Sequence, residues 1–464
     1  MFDLSKYKDA IACITPSGDH LSYGELLGLS DRIIKKLKTR KLVFSLCSNS
    51  IGSVAGYVSF VNNNNATLLL DAQIESTAFE VLYTTYLPYY IWAPCEFAAP
   101  DGARIVFSKR EYSLWEIAGN NTSVNKKLSV LLPTSGSTGS PKLVRLSKKN
   151  LESNALSIIR YLNITAAERP LTGLPMYYSF GLSIINSHLL AGATLLLTPV
   201  SYVEREFWQF GNENGFTSFS GVPYTFEIMK NLKLWKLPMP TLRTLTQAGG
   251  KLNNELLQFF IEKYAPQGVK FYLMYGQTEA TARMSYLDPE YGISKLGSIG
   301  KGISGGKFSL TSDDGRIIET ANEVGELVYE GPNVSLGYAE CAADLMKDDE
   351  NHGVLQTGDL AYRDEDGFYF IVGRKKRFLK LFGNRISLDD VETLLREKLN
   401  ECVCVGDDSK LIIYTTDMVF DENDIVNFIV GRTKLVRSVF SVKHIDTIPR
   451  SASGKTLYKL LSID

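Results

Sequence analysis

Leu131-Leu132-Pro133-Thr134-Ser135-Gly136-Ser137-Thr138-Gly139-Ser140-Pro141-Lys142 is the stretch of this sequence best suited to hold an anion. An apolar, strand-like lead-in meets a run of small hydroxyl residues and glycines, then a lysine. Glycines let backbone N–H groups turn inward as a nest, the hydroxyls add donors, and Lys142 adds a positive charge. The pattern is not a Walker loop, because Gly136 and Gly139 stand too close together and Pro141 precedes the lysine. Residue types alone leave a plain Ser/Gly turn equally open. A second lysine, Lys455, lies in a Ser/Gly-rich run close to the end of the sequence. Gly454-Lys455-Thr456 has the look of a Walker ending, but Pro449 stands at the first glycine position. Only eight residues follow Thr456, too few for a strand-supported nucleotide domain.

Four further segments follow residues 131–142 in order: Met274-Tyr275-Gly276-Gln277-Thr278-Glu279, Gln356-Thr357-Gly358-Asp359-Leu360, Gly373-Arg374 with its basic run, and Pro449-Arg450-Ser451-Ala452-Ser453-Gly454-Lys455. Together the five resemble the signatures of the adenylate-forming superfamily: acyl-CoA synthetases, adenylation domains of peptide synthetases, and beetle luciferases. The resemblance runs from residue 131 to 455, and the residues before it match more loosely. It implies an AMP-forming ligase that joins a carboxylic acid to ATP as acyl-AMP, releases pyrophosphate, and passes the acyl group to a thiol. An anion must then approach a polyanion, so the site has to supply cations and N–H donors more than a general base.

The resemblance assigns roles residue by residue. Thr134, Ser135, Gly136, Ser137, Thr138, Gly139 and Lys142 would cradle the phosphates. Tyr275, leaving a strand at its carboxyl end beside Gly276, would stack on adenine; Gly249 and Gly250 would let the backbone approach the nucleotide. Thr278 would donate to the α-phosphate, and Glu279 would hold Mg²⁺, a hard cation that takes carboxylate and phosphate oxygens. Asp359 would accept from the ribose hydroxyls, with Arg374 contacting the same ribose. Lys455 would bridge carboxylate and α-phosphate in the transition state. Lys376 would be the pivot of a small C-terminal domain; the next position, often acidic in the family, is Arg377 here. Without the motifs, Tyr275 reads rather as a core or rim aromatic, Thr278-Glu279 as a helix start, and Asp359 as the cap of its own turn.

Leu174-Pro175-Met176-Tyr177-Tyr178-Ser179-Phe180-Gly181-Leu182 resembles the family's aromatic segment beside the acyl group. Tyr178, Ser179, Phe180, Gly221, Ala248 and Met274 would line the pocket. No Asp lies between Pro175 and Leu182 to meet an α-ammonium group, which argues against an α-amino acid. Leu381-Phe382-Gly383-Asn384 stands where the family admits a pantetheine thiol, a placement that suits coenzyme A or an acyl carrier protein. Coenzyme A is the leading expectation for the acceptor. A carrier protein or an amine is the alternative, and a non-catalytic nucleotide-binding relative is the rival of another class.

These residues need elements to hold them. The 464 residues suggest about three units at roughly 150 residues each. Apolar residues at helical spacing from Leu26 to Leu37 are followed by a strand at 42–46, a helix at 53–62 and a strand at 66–71. The alternation returns as a helix at 150–161, a strand at 193–197, a helix at 224–232 and a strand at 271–274, the signature of parallel sheets with helical crossovers. After about residue 295 the texture becomes β-rich, with strands at 325–331 and 367–372. The expected fold is α/β: a large N-terminal domain, 1–375, of α/β subdomains plus a β-rich subdomain, and a small mobile α+β domain, 376–464, carrying Lys455.

Fifty basic against fifty-one acidic residues give no basic excess for nucleic acid. The apolar stretches are too short for a membrane span, and the start lacks the layout of a signal peptide. The six cysteines include no C-x-x-C pair; Cys402 and Cys404, on one strand face, read as buried small apolar residues, and reduced thiols fit a cytoplasmic protein.

Overall fold

The computed structural model describes residues 1–133, 142–381, 384–407, 410–433, 435–451, 454 and 456–462. The chain divides into two compact units: Met1–Phe308 with Tyr329–Leu355, and Ser309–Val328 with Gln356–Asp464. The sequence boundary at 375/376 falls inside the second unit.

Two sheets build the first unit. In one, the strands run in the order Ser285–Leu287, Lys270–Tyr275, Thr244–Gln247, Ser218–Gly221, Pro170–Thr172, Leu195–Leu197, Ile11–Ile14. From Lys270–Tyr275 to Ile11–Ile14 every pairing is parallel, and antiparallel neighbours close both ends. The other sheet has a parallel centre of Tyr90–Pro94, Leu42–Cys47, Ala66–Asp71 and Leu128–Pro133. Leu42–Cys47 is buried at every position, which explains its unbroken apolar run: a strand covered on both faces has no solvent side to alternate toward.

Helices fill the space between and around the sheets. Ser22 caps Tyr23–Ile34 through a reciprocal box with Glu25. Ile51–Asn62 is buried from Ile51 to Val61 and joins a core that draws on both sheets, with Val43, Leu69, Val130 and Val144 from one and Cys13, Leu195 and Leu197 from the other. Lys148–Leu162 starts at a Ser147/Asn150 capping box and packs along the apolar helix Ser179–Ala191.

The second unit contains the strand Tyr369–Arg374 and, from Gln356 on, its antiparallel neighbour Val354–Arg363. A second sheet follows, with Leu411–Thr415 between antiparallel Cys402–Gly406 and parallel Phe440–His444. Cys402 and Cys404 share the face covered by Leu388–Leu395 and Glu422–Thr433, while Val403 and Val405 pack on Ile448 and Leu461. Burial pushes the Cys402 thiol up to about 12 and Cys404 well above its ordinary range, so both stay protonated. Among the described residues no helix is long and apolar enough to cross a membrane.

Candidate functional site

Strand Lys270–Tyr275 ends in a turn with almost no slack. A Cβ at Gly276 would stand 1.6 Å from the Ala282 carbonyl oxygen, so only glycine fits this close approach. Thr278–Ala280 forms a short 3₁₀ turn, and Thr281 and Ala282 then hold φ of 65° and 127°. Non-glycine residues adopt such values only where neighbours over-determine them. Here Thr281 Oγ1 donates to the Asn333 carbonyl at 2.6 Å, Asn333 Nδ2 donates to the Ala280 carbonyl at 2.8 Å, and Met284 N returns to the Tyr275 carbonyl at 2.8 Å. The Tyr275 ring lies against Phe308, with Gln277 Nε2 donating to its hydroxyl at 3.3 Å.

This turn presents Thr278 and Glu279. Thr278 Oγ1 is 3.1 Å from the hydroxyl of Ser179, the first residue of the buried helix Ser179–Ala191. Tyr338 donates its hydroxyl to Glu279 Oε1 at 2.9 Å, and Lys142 Nζ lies 3.8 Å from the centroid of the Tyr338 ring. Burial, with the Glu279 charge adding to it, pushes the Tyr338 phenol well above the tyrosine range and keeps it a donor. Arg145 fixes this tyrosine from behind. Its buried guanidinium donates to the carbonyls of Leu336, Tyr338, Lys347 and Asp348 and pairs with Glu350 at 2.6 Å. Lys142 also lines a cavity of about 360 Å³ together with Tyr338, Glu340, Lys347 and Glu350. Residues 134–141, which carry Thr134, Ser135, Gly136, Ser137, Thr138 and Gly139, lie outside the described residues.

The expected acyl-pocket residues come together. Phe180, Ala248 and Met274 share one apolar cluster with Leu174, Ile184, Val222 and Tyr272, and Tyr178 packs against it. Gly221 ends the strand next to that of Gln247, and Ala248, Gly249 and Gly250 follow. Gly249 takes φ of 86° to make the turn, and Gln247 Nε2 donates to the Ala248 and Gly250 carbonyls at 3.2 and 3.0 Å. Gln247 Oε1 is buried and has no hydrogen-bond partner among the described residues. Tyr177 ties the aromatic segment to the strand Ala66–Asp71 through a 2.7 Å bond to Asp71 Oδ2.

The second unit brings Asp359 and Arg374 together by strand register. Arg363, Tyr362 and Ala361 pair with Tyr369, Phe370 and Ile371, and then the ladder slips at Leu360. The slip sets Asp359 opposite Arg374 instead of Gly373, with Arg374 Nε 3.1 Å from Asp359 Oδ1. Asp359 is 3% exposed, and Thr357 Oγ1 accepts from its backbone N–H at 3.1 Å. Lys376 falls in the 3₁₀ turn Lys375–Arg377. Arg377, the departure from an acidic position, is held by Asp389 and Glu392 at 2.6 Å each and lies 4.0 Å from the centroid of the Tyr458 ring. Lys455 lies outside the described residues.

The family model for the AMP-binding enzyme matches residues 96–339, more than half of the chain. The chain belongs to the AMP-binding enzyme family. Among relatives of this AMP-binding enzyme, an indoleacetate–CoA ligase of Aromatoleum aromaticum is 29% identical over 337 residues, covering 69% of this chain and 64% of its own length. A sulfoacetate–CoA ligase of Cupriavidus necator is 32% identical over 283 residues, 60% of this chain and 54% of its own. The chain thus matches less than two thirds of the length of these relatives. In fold it is similar to the O-succinylbenzoate coenzyme A synthetase of Bacillus subtilis in complex with AMP, with a TM-score of 0.80 and 22% identity over 99% of this chain and 97% of that one. The same synthetase in complex with ATP and magnesium ion gives 0.76 and 22% over 97% and 96%.

Glu279 fits a magnesium ion of the kind phosphates share. Its Oε2 takes no hydrogen bond from the described residues, and no three His, Cys, Asp or Glu side chains cluster among them to form a protein cage. A cation there would complete its shell from phosphate and water. Sequence reasoning missed Tyr338, Arg145 and Arg283. Tyr338 stands 59 residues from Glu279 and carries no local signal. Arg283 did leave one: a lone arginine in the run Ala282-Arg283-Met284, just past a motif.

Proposed function

We propose that this protein activates a carboxylic acid with ATP to form an acyl adenylate and pyrophosphate, then transfers the acyl group to the thiol of coenzyme A. The observation that carries this reading is the chain Lys142–Tyr338–Glu279 beside the Thr278–Ser179 hydroxyl pair. A cation, a carboxylate and two hydroxyls converge at the carboxyl end of a parallel strand, where open α/β sheets bind ligands. In this reading residues 134–139 and Lys142 hold the phosphates. Tyr275 stacks on adenine with Gly249, Gly250 and Gly276 admitting it, and Asp359 and Arg374 take the ribose. Thr278 donates to the α-phosphate, and Lys455 offsets charge as the carboxylate oxygen attacks phosphorus. Mg²⁺ on Glu279 would neutralise phosphate charge. Tyr178, Ser179, Phe180, Gly221, Ala248 and Met274 enclose the acyl group, and residues 376–464 turn about Lys376 between the two steps.

The test is pyrophosphate release over a panel of carboxylic acids, with coenzyme A, a phosphopantetheinylated carrier protein or an amine as acceptor. Acid-dependent release with coenzyme A consumed supports the reading. Acid-dependent release with only the carrier or the amine acylated replaces the acceptor, and nucleotide binding with no acid-dependent release removes the reaction.

A further inference from the structure

Two arginines in the first unit are wholly buried, and they are treated differently. Arg145 meets Glu350 and four backbone carbonyls. Among the described residues Arg283, 1% exposed, meets only neutral side chains. Its Nε donates to Ser183 Oγ at 3.1 Å, and its Nη1 donates to the Tyr161 hydroxyl at 3.1 Å and the Met274 sulfur at 3.4 Å. Its carbon Cζ lies 5.0 Å from the Phe180 ring centroid. Among the described residues no carboxylate pairs with it. A guanidinium offers five N–H donors, and a buried cation without a counter-charge is costly.

The fold nevertheless drives this side chain inward. The strained pair Thr281 and Ala282 turns the backbone, and Asn154 Nδ2 and Asn333 Nδ2 lock the Arg283 carbonyl at 2.7 and 3.3 Å. The nearby His188 is no counter-ion either: burial, reinforced by the Arg283 charge, holds its imidazole neutral, down to about 4. The missing partner is therefore best supplied by the ligand. Phe180 and Met274, which flank the guanidinium, are the residues that enclose the acyl group in the adenylation reading on which this step rests.

We infer that Arg283 is a specificity-determining residue that pairs with a second carboxylate on the acid, so that the substrate is a short linear dicarboxylic acid. The spacing follows from the helix Ser179–Ala191. Ser179 touches Thr278, and Ser183, which receives Arg283 Nε, lies four residues further along, just over one turn or ~6 Å. One carboxylate reacts beside Thr278 while the other sits a helical turn deeper, which matches the succinate-to-adipate range.

The wild-type chain tests this without any substitution. Pyrophosphate release is measured for succinate, glutarate and adipate against butyrate, valerate and hexanoate. The best dicarboxylate should exceed its monocarboxylate counterpart in kcat/KM by about a hundredfold or more, because a site built to pair with a polar group rejects the analogue lacking it. Arg283→Met should erase that preference, and Arg283→Lys should keep its direction. Monocarboxylates used equally or better by the wild type overturn the inference and leave adenylation standing. Release with no acid of either series overturns it as well, and silence across a broader acid panel removes adenylation too.

Discussion

Tyr338 touches both partners that matter, the Lys142 ammonium through its ring and the Glu279 carboxylate through its hydroxyl. Tyr338→Phe keeps the ring and the cation–π contact and removes one hydrogen bond to a charged acceptor, a contact worth about 1.5–3 kcal/mol. The expected outcome is a loss of roughly tenfold or more in kcat/KM with a higher Mg²⁺ requirement, read by titrating Mg²⁺ in the pyrophosphate assay; unchanged Mg²⁺ dependence would detach Tyr338 from the metal. Several of the polar residues were legible in the sequence because they stand beside a glycine in a short motif: Thr278 and Glu279 sit on a tight turn that follows Gly276, and Asp359 follows Gly358 within a strand. Tyr338 was not legible, because its partnership with Glu279 exists only after a strand from another part of the chain packs alongside.

Elements explain why the spacing of the motifs matters. The one-residue slip at Leu360 places Asp359 across from Arg374, fifteen positions away along the chain. No periodicity in the sequence announces such a bulge. The turn after Tyr275 is equally specific. Gly276→Ala would force a methyl into the Ala282 carbonyl, with an overpacking cost of about 1–3 kcal/mol. A lower Tm with weakened nucleotide binding is expected from thermal shift with and without ATP, and a Tm and affinity equal to wild type would show that the turn can yield. The parallel strands Leu42–Cys47, Ala66–Asp71, Leu195–Leu197 and Lys270–Tyr275 were readable from apolar runs bounded by helices, whereas Ile11–Ile14, Pro170–Thr172, Ser218–Gly221 and Thr244–Gln247 are short and went unread. Ser179–Ala191 was not readable as a helix, because it is buried on nearly every side and shows no polar face to give a period. Tyr90–Pro94 and Tyr112–Ile117 escaped for a similar reason, being short and buried.

At the scale of the whole molecule, the buried His188 links folding to pH. Its folded pKa, about 4, lies below the ordinary 6.5, so the unfolded chain binds the proton more readily. This contribution is complete above pH 6.5 and is lost as pH falls toward 4, by up to about 3 kcal/mol. Urea unfolding at several pH values should show that decline in the wild type and a smaller one in His188→Gln; parallel curves would refute the assignment. In the second unit, Arg377 is bound to Asp389 and Glu392 of the helix Leu388–Leu395, so the residue after the proposed pivot is tied to that helix. Its basic character, unexpected from the family pattern, follows from those two carboxylates.

ATP–pyrophosphate exchange, measured with and without a carboxylic acid on wild type and Lys455→Ala, reaches the central chemistry most directly. Exchange that requires the acid, falls by at least about two orders of magnitude in Lys455→Ala, and leaves ATP affinity nearly unchanged is the expected result. Acid-independent exchange, or full exchange in Lys455→Ala, would contradict it.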